Sequence, residues 1–254
     1  MIDLTGKNVL ITGGSRGIGK ACVKLFLKAN ANVIFTFASN LKAASGVIRG
    51  MKINEKNQFL EGYKMDLSNE SEIVEVIRTI IKKHKKVDIL VNNAGIWKYG
   101  EADGMTTGNW EETIRINLTG TFLVTREVSR VMKKKKFGRI INITSTAGQR
   151  GEAFHSHYAA SKGGVISYTK SLANELAGFN ITTNSVAPGW VDTEMCDEVF
   201  EDKEYKETVR KGIPVGRIAT AEDIAGPVLF LASELARHIN GEILNVNGGS
   251  VLCG

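Results

Sequence analysis

Val9-Leu10-Ile11-Thr12-Gly13-Gly14-Ser15-Arg16-Gly17-Ile18-Gly19 is the stretch that decides how this chain folds. A short apolar run passes straight into a glycine-rich turn, and a helical pattern from Ile18 to Ala29 follows at once. Gly13 permits a tight turn. Gly17 lets backbone approach a pyrophosphate with no side chain between, and Gly19 lets the helix pack closely on the strand. The helix N-terminus offers its unpaired N–H groups to phosphate. Gly13, Ser15, Arg16, Gly17, Ile18 and Gly19 are therefore candidate dinucleotide contacts, because strand, turn and helix occur in the order such a loop requires.

Outward from that loop the same alternation continues. Val33-Ile34-Phe35, Ile89-Leu90-Val91 and Ile140-Ile141-Asn142-Ile143 are continuous apolar runs, as parallel strands covered on both faces should be. Glu70–His84 and Tyr158–Ala177 read as helices. In the first, Ile73, Ile77, Ile80 and Ile81 share one face, with Ser68 or Asn69 as cap and Glu72 as capping-box partner. The pattern predicts a single α/β domain over 1–254, a doubly wound, Rossmann-like parallel sheet with helices on both faces. Ligands then collect at the carboxyl ends of the strands.

Composition narrows the class. The 254 residues are 43% hydrophobic and 24% charged, which suits a globular chain with its own core. Cys22, Cys196 and Cys253 are scattered and odd in number, so no disulfide framework is expected and a reducing compartment is. No signal-peptide pattern follows Met1 and no apolar run is long enough to span a bilayer. The expectation is a cytoplasmic chain with no membrane partner and no metal. The net charge of +6 suits an anionic partner, with Lys133-Lys134-Lys135-Lys136 the densest patch. That patch reads first as a solvated helix end, second as a dock for an acidic partner, and hardly at all as a nucleic-acid site.

The choice of dinucleotide is electrostatic. An acid about 20 residues beyond the glycine loop would bond the ribose of NAD and repel a 2′-phosphate. Here Thr36-Phe37-Ala38-Ser39-Asn40 carries no carboxylate, Arg16 supplies a cation, and Ser39 and Asn40 supply neutral donors. NADP(H) is the predicted cofactor.

Tyr158 and Lys162 stand one helical turn apart on one face. A lysine ammonium there, and the positive ring of an oxidised cofactor, would favour the phenolate and lower a phenol pKa that is ordinarily near ~10. Ser145, at the end of the strand Ile140–Thr144, can donate to a carbonyl oxygen on which charge grows. In the loop before Tyr158, His155 reads as a surface histidine, with substrate contact as the alternative.

With Gly13-x-x-x-Gly17-x-Gly19 and Tyr158-x-x-x-Lys162 in place, nearly the whole chain, Leu4 to Gly249, resembles the short-chain dehydrogenase/reductase family. The resemblance implies catalytic roles for Asn117, Ser145, Tyr158 and Lys162, with Asn117 in a proton relay reaching Lys162. It implies that Asn92-Asn93-Ala94-Gly95 steadies the sheet beside the adenosine, so that Asn93, Ala94 and Gly95 join the cofactor contacts, and that Asp66-Leu67 meets the adenine. Tyr158 and Lys162 would also hold the nicotinamide end, together with Pro188, Gly189, Val191 and Thr193, and residues 194–212 would form a mobile substrate lid. A homotetramer through the helices Thr107–Lys134 and Tyr158–Ala177 is implied as well.

Within the family Pro214-Val215-Gly216-Arg217, Ala221–Ala225 and Asn247-Gly248-Gly249 resemble the 3-oxoacyl-[acyl-carrier-protein] reductases of fatty-acid synthesis, although these segments also occur in other short-chain reductases. Acyl carrier protein is then a possible partner. The chain departs from that group at Ile96-Trp97-Lys98-Tyr99 and at Phe179, where an arginine is usual, while Lys136 keeps a positive charge. Reduction of a 3-oxoacyl thioester is therefore weighed against reduction of another small ketone, sugar or polyol, and against a non-catalytic nucleotide-binding protein.

Overall fold

Each apolar run becomes a strand whose alternate residues enter different cores. A computed structural model describes residues 2–53 and 58–252, so Met1 and Cys253 fall outside the described residues. The strands are β1 (Asn8–Ile11), β2 (Asn32–Phe37), β3 (Leu60–Lys64), β4 (Ile89–Asn92), β5 (Gly138–Ile143), β6 (Ile181–Pro188) and β7 (Ile243–Val246). They form one sheet in the order β3-β2-β1-β4-β5-β6-β7, and every neighbouring pair is parallel. The direction of winding reverses between β1 and β4, which opens a crevice at the carboxyl ends of those strands.

The helices are α1 (Gly17–Lys28), α2 (Leu41–Gly50), α3 (Glu70–His84), α4 (Thr107–Ile114), α5 (Gly120–Lys135), α6 (Ala147–Arg150), α7 (Ser156–Leu176), α8 (Asp197–Phe200), α9 (Lys203–Lys211) and α10 (Ala221–Ala232). Val9, Ile11, Val33 and Phe35 point to the face covered by α1, α2 and α10, where Phe26 and Val228 meet them. Leu10, Ile34, Leu90 and Ile140 point to the opposite face, against Ile73, Ile77 and Ile80 of α3 and Val128 and Met132 of α5. Each such side chain contributes roughly 1.5–3 kcal/mol by leaving water. A two-residue period divides one apolar run between two cores. None of the described helices is long and apolar enough to cross a membrane.

Asn69 caps α3 by accepting the Glu72 N–H. Glu72 does not complete a capping box; its carboxylate accepts the Asp66 N–H at 3.1 Å and so ties the helix to the end of β3. The helix expected over Thr107–Lys134 is also interrupted, by a π turn at Arg115–Thr119 between α4 and α5. Gly120 permits the shift: a Cβ there would lie 2.9 Å from that of Leu67. The Thr121 hydroxyl then takes the Asn117 carbonyl at 2.8 Å, satisfying an acceptor in the widened turn.

Candidate active site

A single cleft at the crevice gathers nearly all the residues singled out from the sequence. Gly13, Ser15, Arg16, Gly17 and Ile18 line it from the loop after β1. Ser39 and Asn40 line it after β2, Asp66 and Leu67 after β3, and Asn93, Ala94 and Gly95 after β4. Ser145, Tyr158, Lys162, Pro188, Gly189, Val191 and Thr193 line its other half. Gly19 and Asn117 are not on its wall. Gly19 packs beneath the loop, where a Cβ would sit 2.1 Å from the Gly13 carbonyl oxygen.

The glycine loop is held from the side. The Thr12 hydroxyl accepts the N–H groups of Asn93 and Ala94 at 3.0 and 3.1 Å, and the Asn93 amide donates to the Thr12 and Gly13 carbonyls at 3.0 and 3.2 Å. Gly13 and Gly17 both have positive φ, at 68° and 50°. Those are conformations that glycine adopts freely. Asn92 donates to Asn142 and Thr125, and Asn142 to Thr169, which joins β4 and β5 to α5 and α7 through a buried amide chain. Asp66 is already engaged by the Ser68 N–H, and Asn40, on the cleft wall, caps α2 through its side-chain oxygen. The cradle fits a dinucleotide: bare backbone at Gly13 and Gly17, a helix N-terminus beyond, and Arg16 with no carboxylate at the end of β2.

At the other end Ser145 and Tyr158 line the cleft together, near enough for the Ser145 hydroxyl to act on the Tyr158 phenol. Ser145 Oγ also accepts the Ala147 N–H at 3.1 Å, which leaves its own proton free to donate elsewhere. Lys162 Nζ donates to the Ile143 carbonyl at 2.7 Å and stands 5.7 Å from the centre of the Tyr158 ring. The expected direction of the Tyr158 shift is reversed: desolvation raises its phenol, the Ser145 hydroxyl opposes this, and Glu152 and Cys196 add to the rise. Removing a phenolate from water outweighs a cation aimed at a backbone carbonyl. Burial also pushes the Lys162 ammonium down to about 8. If the Lys162 charge is needed when NADPH enters, kcat/KM for NADPH should fall as pH rises through about 8, where the ammonium loses its proton. A pH profile of wild type beside Lys162→Arg checks this, since the guanidinium should remove that limb.

Asn117 lies in the π turn and is buried. Its amide clamps both backbone groups of Ile96, accepting from N at 2.8 Å and donating to O at 2.9 Å, and it donates to Ser161 Oγ at 3.1 Å. It fixes the floor beside Gly95, whose missing Cβ would lie 3.1 Å from Asn117 Oδ1 and 3.5 Å from Lys162 Nζ.

Three residues of the substrate end, Trp97, Glu152 and Trp190, were not among the expected site residues, and Met195 and Cys196 come from the stretch expected to form the lid. Trp97, Glu152, Trp190, Met195 and Cys196 line the cleft beside Ser145 and Tyr158. Trp97 lies in the segment that departs from the reductase pattern, and that departure was the available signal. His155 is not a surface residue: it is buried, stacked on Trp97 with centroids 4.2 Å apart, and it supports the cleft wall from behind. The stretch 194–212 carries α8 and α9, with Phe200 and Tyr205 packed around Trp190.

A parallel sheet with this crevice, a glycine-loop cradle and a Ser–Tyr–Lys cluster defines an oxidoreductase of the dinucleotide-binding class. The chain belongs to the short-chain dehydrogenase/reductase family. A family model described as enoyl-(acyl carrier protein) reductase matches residues 13–250. The 3-oxoacyl-[acyl-carrier-protein] reductase FabG of Aquifex aeolicus is 41% identical over 248 residues, covering 98% of each chain. The 3-oxoacyl-[acyl-carrier-protein] reductase of a Synechocystis species is 38% identical over 253 residues, covering 99% of this chain and all of its own. Among solved structures, a Beutenbergia cavernae chain assigned as an NAD(P)-dependent gluconate 5-dehydrogenase, with NADP bound, superposes with a TM-score of 0.90 at 32% identity over 98% of both chains.

Proposed function

We propose that this chain uses NADPH to reduce a 3-oxoacyl thioester, of the acyl-carrier-protein type, to the 3-hydroxyacyl thioester in fatty-acid synthesis. The observation that carries the reading is the grouping of Ser145, Tyr158 and Lys162 in a cleft continuous with the glycine loop. The FabG relatives, alike over almost their full length, support the substrate class. When bound, NADPH supplies a hydride to the carbonyl carbon. Ser145 and Tyr158 hold the carbonyl oxygen, and Tyr158 gives it the phenolic proton. A phenol kept protonated by desolvation is in the form that a proton donor needs. Lys162, at the base of the same helix turn, holds a positive charge beside the nicotinamide end. The description of the family model names enoyl reduction, in which charge also develops on a carbonyl oxygen, so turnover of a crotonyl thioester is what separates the two reactions.

The first test is NADPH oxidation with an acetoacetyl thioester, beside NADH, a crotonyl thioester, and panels of sugars and simple ketones. Fast, NADPH-selective turnover of the oxo thioester supports the reading. Turnover of a sugar or polyol instead moves the function to the second reading, which Glu152 beside Trp97 on the cleft wall favours, since a carboxylate beside indole rings suits hydroxyl groups.

Arg16 is the proposed 2′-phosphate partner. Arg16→Ala should lower kcat/KM for NADPH by roughly 10–100-fold, as loss of a charge-assisted bond implies, and leave NADH within about threefold. Steady-state kinetics with both cofactors check it.

The partner reading extends to two surfaces. Lys134, Lys135 and Lys136 are exposed at the end of α5, with Lys133 Nζ 4.7 Å from the centre of the Phe179 ring. We take this patch as the dock for acyl carrier protein. Trp110 and Phe122, 42% and 41% exposed on α4 and α5, suit the homotetramer interface, and four chains are expected by sedimentation. One catalytic domain acting in the cytoplasm completes the reading, in keeping with the free thiols of Cys22 and Cys196.

A further inference from the structure

We propose that Glu152 sets the charge selectivity of the substrate end, admitting carbonyl compounds that are neutral around the reacting ketone and rejecting those with a nearby carboxylate. The inference rests on carbonyl reduction at Ser145 and Tyr158, and it extends that reading to a residue outside the catalytic cluster.

Glu152 lies in the turn between α6 and α7 and lines the same cleft as Ser145 and Tyr158. Only 20% of its side chain is exposed. Its position is built rather than incidental. Trp97 Nε1 donates to Glu152 Oε1 at 3.3 Å, and the Trp97 ring stacks on His155, which in turn donates its backbone N–H to the Glu152 carbonyl. Indole, imidazole and carboxylate thus brace one another, and Trp190 meets the edge of Trp97 with centroids 5.9 Å apart.

The carboxylate acts into the cleft from this position. Burial is the main cause that pushes Tyr158 on α7, Cys196 before α8 and Tyr205 on α9 upward in pKa, and the Glu152 charge adds to the rise in each. Groups on three separate elements feel one carboxylate, so its field covers the space they enclose. Burial pushes the Glu152 carboxyl itself upward, opposed by the Trp97 hydrogen bond and by Arg150 at the exposed end of α6, and His155 Nδ1 stands 3.8 Å from its Oε1. Cys196 also feels Asp192 and Asp197, against Lys206 alone, so the lid side adds further negative charge.

A free 3-oxo acid held with its ketone oxygen on Ser145 and Tyr158 brings a carboxylate two carbons away into this field. A thioester or ester brings none. Like charges a few ångströms apart in a partly desolvated cleft oppose binding by about tenfold or more. Glu152 would therefore make the enzyme select an activated acyl group over the hydrolysed acid.

The test compares kcat/KM for ethyl acetoacetate and for acetoacetate with NADPH, in wild type, Glu152→Gln and Glu152→Asp. Glutamine keeps an oxygen for Trp97 and removes the charge, whereas aspartate keeps the charge. The acid-to-ester ratio should rise about tenfold in Glu152→Gln and stay within about threefold of wild type in Glu152→Asp. An unchanged ratio in Glu152→Gln, an equal rise in Glu152→Asp, or a wild type that takes acid and ester alike would overturn the inference. Charge discrimination without thioester turnover would strike only the thioester reading. Reduction of neither compound would overturn the inference together with the reading on which it rests.

Discussion

Tyr158→Phe should lower kcat by about a thousandfold while leaving NADPH affinity within about threefold. The substitution removes one oxygen and keeps the ring, so the face toward Lys162 is retained. What is lost is the hydroxyl beside Ser145 that burial holds protonated in the cleft. Ser145 can still polarise the carbonyl, but it has no comparable proton to give. Single-turnover kinetics should put the whole loss in the chemical step, and calorimetric titration should show binding preserved. Adding Ser145→Ala should cost much less than the product of the two single effects, because the two hydroxyls act on one oxygen. Near-full turnover in Tyr158→Phe would refute the assignment.

Gly19→Ala should weaken NADPH binding by 100-fold or so and lower the melting temperature by several degrees. Its added Cβ would stand 2.1 Å from the Gly13 carbonyl oxygen and 2.6 Å from Asn93 Nδ2. Neither neighbour can retreat easily. Gly13 is pinned by its positive φ and by the Asn93 amide on its carbonyl, and Asn93 is spent on Thr12 and Gly13. The start of α1 would have to lift away from β1, taking the loop N–H groups out of register. Gly46→Ala is the matched control: it lies on α2 with nothing within 4 Å of the added carbon. It should be neutral or stabilising by about 0.5–1 kcal/mol. Similar losses in both variants would show that helix geometry, not the loop contact, was responsible.

The contrast between those glycines marks what a sequence can disclose. Gly13, Gly17 and Gly19 were legible because strand, turn and helix constrain them within a few residues. Tyr158 and Lys162 were legible because one helical turn fixes their relation. The interruption at Arg115–Thr119 was not, since a π turn carries no periodic signal and here depends on Leu67, remote in sequence, packing against Gly120. His155 and Glu152 sit in a turn without period, and their burial comes from Trp97, on a different loop. The direction of the Tyr158 shift was likewise hidden: spacing shows a neighbouring lysine, but not that the lysine is engaged by Ile143 while the phenol is stripped of water.

The arrangement of tryptophans gives the protein an optical property of its own. Of the three in the chain, Trp97 and Trp190 form an edge-to-face pair in the cleft, while Trp110 sits half-exposed on α4. Indole emission overlaps dihydronicotinamide absorption, so the cleft pair should be quenched by energy transfer as the reduced cofactor fills the site, and Trp110 should supply a steadier background. Cofactor occupancy could then be followed by light in the unlabelled enzyme, turnover by turnover.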